Sequence, residues 1–159
     1  MLNLMEKLGE IKEYSIDTFF LAVSLLDRYL AKVPADKRLP CLGSLAVTCL
    51  LIAVKLEEPV TPSYNNMCKL LAKLKVVKIE KRTIQYYENQ VLQELDFSIR
   101  NVGSIHFLER YLRLFGLDKG QEDSVQTQIM TLSYKFCLLM QREAKFLNFL
   151  PSQLAAASL

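Results

Sequence analysis

Residues Leu39 to Glu58 read LPCLGSLAVTCLLIAVKLEE, and this stretch decides the fold. From Leu39 to Val54 no side chain carries a charge; Lys55 ends the run, Leu56 and the pair Glu57–Glu58 follow, and Pro59 stops it. Sixteen uncharged residues fall short of the roughly 20 that a bilayer-spanning helix needs. A helix that is apolar on every side is buried among other helices. The stretch therefore predicts a central helical post, with Pro40 suited to its first turn and Lys55 standing where it emerges.

Working outward from the post, the flanking segments carry helical periodicity. Toward the N-terminus, Leu2, Met5, Leu8 and Ile11 recur through Met1–Glu13, a helix with no cap before it and Gly9 inside it. Ser15 is a suitable N-cap for a helix over Ile16–Ala31, whose apolar set includes Phe19, Phe20, Val23, Leu26 and Leu30. Asp27 falls beside that stripe, and a carboxylate buried there needs a partner. Pro34–Lys37 reads as a turn. Beyond the post, a helix is expected over Ser63–Leu74, then a loop over Lys73–Lys81, then an amphipathic helix over Lys81–Leu95 built on Ile84, Tyr87, Val91, Leu92 and Leu95. After a connector, Ser104–Phe115 reads as a helix capped by Ser104 and stopped by Gly116. A polar turn over Leu117–Asp123 leads to a long helix, Val125–Leu139, with Ile129, Leu132, Phe136 and Leu139 on one face. An apolar link, Phe146–Leu150, precedes a last helix opened by Pro151 and Ser152. No pair of strands is expected, so the class is all-α. Both ends look trimmed, the first helix starting uncapped and the last stopping within two turns.

Composition narrows the function classes. A chain of 159 residues suits one domain or two small ones. Its net charge of +3 lacks the concentrated basic face of a nucleic-acid binder, so no nucleic-acid partner is expected, and no membrane span or leader peptide is visible. The cluster Lys69, Lys73, Lys75, Lys78, Lys81 and Arg82 reads as a solvated face, with phosphate contact as the alternative. Cys41, Cys49, Cys68 and Cys137 show no CxxC spacing, and His106 is the single histidine. Neither a metal site nor a disulfide framework follows, no cofactor is implied, and a reducing compartment, nucleus or cytoplasm, is expected. Glu57 and Glu58 are adjacent and do not face each other on a helix. No phosphate loop, HExxH or GxSxG is present, which argues against an enzyme.

Two charges interrupt apolar surfaces: Lys55 at the end of the post, and Glu88 inside the Lys81–Leu95 stripe. They solvate helix ends or pair with each other, a lysine being favoured at a helix C-terminus, or they flank an apolar patch that a partner covers.

The run LAVSLLDRYL, then LGSLAVTCLLIAVKLEEPVTP, then YYENQVLQELDFSI, resembles the cyclin box, and KFLNFLPSQLAAASL is similar to the second cyclin fold up to its third helix. The mixture resembles D-type and mitotic groups about equally. The resemblance implies a five-helix N-terminal cyclin box over residues 1–99, with the post as its third helix, and an incomplete second cyclin fold over 100–159. It implies a regulatory subunit that binds and activates a cyclin-dependent serine/threonine protein kinase in cell-cycle control. The kinase-binding positions it carries over are Lys55, Leu56, Glu88, Leu92, Phe97 and Ile99. Asp27 corresponds to a buried structural aspartate whose usual partner, an arginine at the start of the first helix, would precede this chain. The substrate-docking patch of the family maps to Leu4, Lys7, Leu42 and Gly43. There a lysine replaces an acidic residue and a glycine a glutamine, so docking of Arg-x-Leu substrates is expected to be impaired. The alternatives are a cyclin-fold transcription factor of the factor IIB type, and a degenerate cyclin that binds a kinase without activating it.

Overall fold

The computed structural model describes residues 1–34, 41–74, 79–117 and 124–159. Among them the chain forms eight α-helices, one short 3-10 helix and no strand, as the periodicity predicts. In order these are α1 (Leu2–Lys12), α2 (Ile16–Lys32), α3 (Leu42–Glu57), α4 (Tyr64–Lys73), α5 (Lys81–Glu94), α6 (Ser104–Leu114), α7 (Ser124–Gln141), the 3-10 helix Ala144–Asn148, and α8 (Pro151–Ala157). Pro40, most of the Pro34–Lys37 turn, residues 75–78 of the Lys73–Lys81 loop, and residues 118–123 of the Leu117–Asp123 turn lie outside the described residues. The helices divide into two compact units, Met1–Asn101 and Val102–Leu159.

The first unit is organised around α3. Every residue from Ser44 to Val54 is buried, so the uncharged run becomes a helix with no solvent face. Its two buried hydroxyls are satisfied locally: Thr48 Oγ1 donates to the Ser44 carbonyl at 2.8 Å, and Ser44 Oγ to Cys41 Sγ at 3.2 Å. No outside partner is then needed in the dry interior. Helices α1, α2 and α5 pack directly on α3, contributing Met5 and Leu8, Leu25, Leu26 and Tyr29, and Ile84, Tyr87 and Val91 to one core. Met67 and Leu71 of α4 close it.

The end of α3 is tied to the start of α2. Ser15 caps α2, its hydroxyl accepting the Thr18 N–H at 3.2 Å. Glu58, just past α3, adds its carboxylate: Oε1 accepts the Ser15 N–H at 2.7 Å and the Thr18 hydroxyl at 2.5 Å. A negative charge at a helix N-terminus is stabilising. Burial pushes the Glu58 carboxyl up, but the hydrogen bonds from Thr18 and Ser15 outweigh it and leave the group below its usual value.

Asp27 is half-buried on α2. Among the described residues no hydrogen bond or ion pair reaches its carboxylate, and burial pushes its pKa up to about 6.

The second unit is smaller and corrects two local readings. Ser104 does not cap α6. The cap is Gly103, and the ring of His106, three residues on, accepts the Gly103 N–H at Nδ1 over 3.2 Å. Ser104 is instead buried in the first turn, where its hydroxyl accepts from Cys137 Sγ at 3.3 Å. Along α7 the apolar stripe does not face the core. Leu132, Phe136 and Leu139 are 52%, 52% and 55% exposed, while the smaller Ser133 and Cys137 are buried. Helix α6 packs on α8 and on α7; Ile105, Leu108, Leu112 and Ala155 are buried, and α7 meets α6 where Cys137 donates to Ser104. The apolar link after α7 is the 3-10 helix, and Gly116 follows α6 with a positive φ of 69°.

Candidate functional site

At its C-terminal end α3 meets α4 and α5. Lys55 lies in the last turn of α3, Tyr64 is the first residue of α4, and Glu88 sits midway along α5. Lys55 Nζ donates to Glu88 Oε1 at 2.5 Å and to the Tyr64 hydroxyl at 2.8 Å. The Tyr64 hydroxyl in turn donates to Glu88 Oε2 at 2.6 Å, and the ammonium lies 4.7 Å from the Tyr64 ring centroid. The three side chains form a closed triangle across three helices. The lysine side chain is 37% exposed and the glutamate 13%, so the pair lies at the edge of the core. Burial works against the Lys55 ammonium, but Glu88 and Tyr64 outweigh it and hold its pKa above the ordinary lysine value. The two charges singled out in the sequence are thus brought together.

The apolar positions lie at different depths. Leu56, Leu92 and Ile99 are half-buried and pack against the core of the first unit. Phe97 is 66% exposed. It projects from a tight turn after α5 in which Asp96 and Phe97 both take positive φ, 52° and 55°. Left-handed backbone is uncommon for side chains of this size and costs of order 1 kcal/mol or more per residue. The turn is held by Phe97 N–H donating to the Leu92 carbonyl at 2.8 Å. From α2, Arg28 Nη2 donates to the Ser98 carbonyl at 2.6 Å and Lys32 Nζ reaches Asp96 Oδ2 at 2.5 Å. Sequence reasoning missed Tyr64, Arg28 and Lys32. Arg28 and Lys32 act over 70 and 64 residues, Tyr64 over 24 to Glu88 and nine to Lys55, and none interrupts an apolar stripe.

The other patch is spread over two helices. Leu4 and Lys7 lie on α1, and Leu42 and Gly43 in the first turn of α3, helices that pack together. Leu4 is half-buried against the core, whereas Lys7 and Leu42 are exposed. Among the described residues no group of three or more His, Cys, Asp or Glu side chains could hold a metal ion, and no helix is long and apolar enough to cross a membrane. An ammonium and a carboxylate held at the edge of the core are able to bind backbone C=O and N–H groups.

Residues 1–100 match the family described as Cyclin, N-terminal domain, and residues 102–159 match Cyclin, C-terminal domain. The chain belongs to the cyclin family. It is 33% identical over 143 residues to a G2/mitotic-specific cyclin-B of Marthasterias glacialis, covering 90% of this cyclin and 33% of that protein. It is 32% identical over 152 residues to Cyclin-D3-1 of Oryza sativa subsp. japonica, covering 95% and 42%. The cyclin described here thus spans between a third and about two fifths of the length of these relatives. Among solved structures, a viral cyclin from herpesvirus saimiri superposes with a TM-score of 0.76 at 21% identity, over 99% of this chain and 64% of that one. That likeness establishes the shared fold, to which both helical units of this cyclin contribute.

Proposed function

We propose that this chain binds and activates a cyclin-dependent serine/threonine protein kinase, and that it does so without chemistry of its own. The observation that carries the reading is the Lys55–Glu88 pair, joined across α3 and α5, two helices that also carry Leu56 and Leu92, with Phe97 and Ile99 following α5. A regulatory helix of the kinase lays its apolar face on those residues, in the manner of groove recognition. The ammonium and carboxylate bind polar backbone groups at the rim and set the helix in register. Moving that helix completes the kinase's lysine–glutamate ion pair at the nucleotide, which phosphoryl transfer requires. Substrate docking through Leu4, Lys7, Leu42 and Gly43 is impaired in this reading, because the exposed Lys7 repels the arginine of an Arg-x-Leu segment. The proposed place of action is the nucleus or cytoplasm.

The test is titration of the full chain against a panel of purified cyclin-dependent kinase subunits, with histone phosphorylation as the activity readout. Binding and activation by at least one kinase, both weakened tenfold or more in Lys55→Ala/Glu88→Ala, is the expected result, since removing buried partners of a charged contact costs about 2 kcal/mol or more. Activation that survives the double substitution unchanged rules out this interface. Binding without activation identifies a kinase-sequestering subunit.

A further inference from the structure

We propose that Tyr64 is a third member of this recognition site, a positioning residue that fixes Lys55 and Glu88 in the geometry the partner reads. The inference rests on the kinase-binding reading of the pair and adds to it a residue on a third helix.

A lysine at the surface has a flexible four-carbon stem and loses rotamer freedom when it is immobilised. For that reason exposed ion pairs contribute little on their own. Tyr64 supplies what the pair lacks. Its hydroxyl is used in both directions, accepting from Lys55 Nζ at 2.8 Å and donating to Glu88 Oε2 at 2.6 Å. Its ring lies under the ammonium at 4.7 Å from the centroid. Tyr64 itself is held by its place in the chain: Ser63 caps α4, accepting the Asn66 N–H at 3.2 Å, and this fixes the first turn from which the phenol projects.

The consequence is a defined set of hydrogen-bonding positions for a partner. An ammonium has three N–H donors. Two are spent, on Glu88 and Tyr64, and the third has no acceptor among the described residues. Each Glu88 oxygen already accepts one hydrogen bond, from Lys55 or from Tyr64, and keeps a second lone pair. The site therefore offers one fixed donor beside fixed acceptors. That combination suits the C=O and N–H groups left unpaired at the end of a helix. Without the hydroxyl, both charged side chains regain freedom that binding must then remove.

Tyr64→Phe tests this, because it keeps the ring and removes only the hydroxyl. Affinity for the tightest-binding cyclin-dependent kinase subunit is measured by calorimetry for the wild type, Tyr64→Phe, Lys55→Ala and the double variant, with melting temperatures taken alongside. Tyr64→Phe is expected to lower affinity roughly fivefold to tenfold, the net scale of one ordinary hydrogen bond, with the melting temperature little changed. In the Lys55→Ala background its effect is expected to be smaller, since only Glu88 is then left for the hydroxyl to position. If Lys55→Ala weakens binding while Tyr64→Phe does not, the role of Tyr64 is overturned and the kinase interface stands. If the two effects simply add, or if the affinity loss follows a loss of melting temperature, Tyr64 is only a staple between helices and the inference fails. If neither substitution weakens binding, the interface itself is wrong.

Discussion

Asp27 carries an unusual load for a single side chain. Its carboxyl is raised from 3.8 to about 6 by burial alone. A raised folded value means that the folded state holds its proton where the unfolded state has lost it. Its contribution is therefore full below about pH 4, falls as pH rises toward 6, and is a net penalty at neutrality. Each pH unit by which a carboxyl is raised corresponds to ~1.4 kcal/mol. With the rise from 3.8 to about 6, and with allowance for partial exposure, Asp27→Asn is expected to stabilise the chain by on the order of 2 kcal/mol at pH 7. The gain should vanish below pH 4, as urea unfolding at both pH values would reveal. A gain of equal size at both pH values would show that ionisation is not the cause. The cysteines divide by the same reasoning. Burial, then the nearby Asp27, pushes the Cys49 thiol up to about 12, and burial raises Cys137, whereas hydrogen bonds from Ser44 lower the half-exposed Cys41. Because the thiolate is the reactive form, brief iodoacetamide treatment of the native protein should label Cys41 first and leave Cys49 and Cys137 unmodified, with peptide mass spectrometry as the readout. At this scale the sequence was legible where a residue broke a pattern. Lys55 and Glu88 stood out against apolar surroundings, but Tyr64 at the head of an amphipathic helix broke nothing, and only folding places it between them.

Helices were legible where one face had to be buried. The uncharged run of α3 admits no other structure, and the stripes of α2 and α5 follow from their partnership with it. In α7 the same rule misleads. Leu132, Phe136 and Leu139 form a stripe, yet the residues that α7 buries are the small Ser133 and Cys137, and Cys137 makes the hydrogen bond to Ser104 of α6. The cap of α6 was hidden for a related reason: Gly103 has no side chain to advertise it, and the group that completes the cap is His106. Helix α1 offers a clean test of local energetics. A Cβ added at Gly9 would meet nothing within 4 Å, and glycine inside a helix costs roughly 0.5–1 kcal/mol relative to alanine. Gly9→Ala should raise stability by about that amount, read as a rise of a few degrees in melting temperature. In the post, by contrast, Leu50→Ala removes a side chain that is 1% exposed and should cost about 2–5 kcal/mol.

Across the whole molecule the two units differ in how much they bury. The first encloses α3 on all sides, and the second leaves large apolar residues of α7 and of the segment Leu147–Leu150 in contact with solvent. Local stability follows burial, so native-state hydrogen exchange should find the slowest amides within Ser44–Val54 and faster exchange through α6, α7 and α8. Equal protection in both units would contradict this account of the core. The Glu58 clamp belongs to this scale as well, since it spans 43 residues to Ser15 and 40 to Thr18. Closing so long a loop carries an entropic cost that must be met before the contact forms. Ser15 can cap α2 from within the first turn at any time, but Glu58 can join it only after α2 has docked on α3. The clamp is therefore expected to form with or after the docking of α2 on α3. Its loss in Glu58→Ala should speed unfolding severalfold and leave the refolding rate nearly untouched, as expected for an interaction absent from the transition state. What the clamp governs is how long the native chain persists once folded.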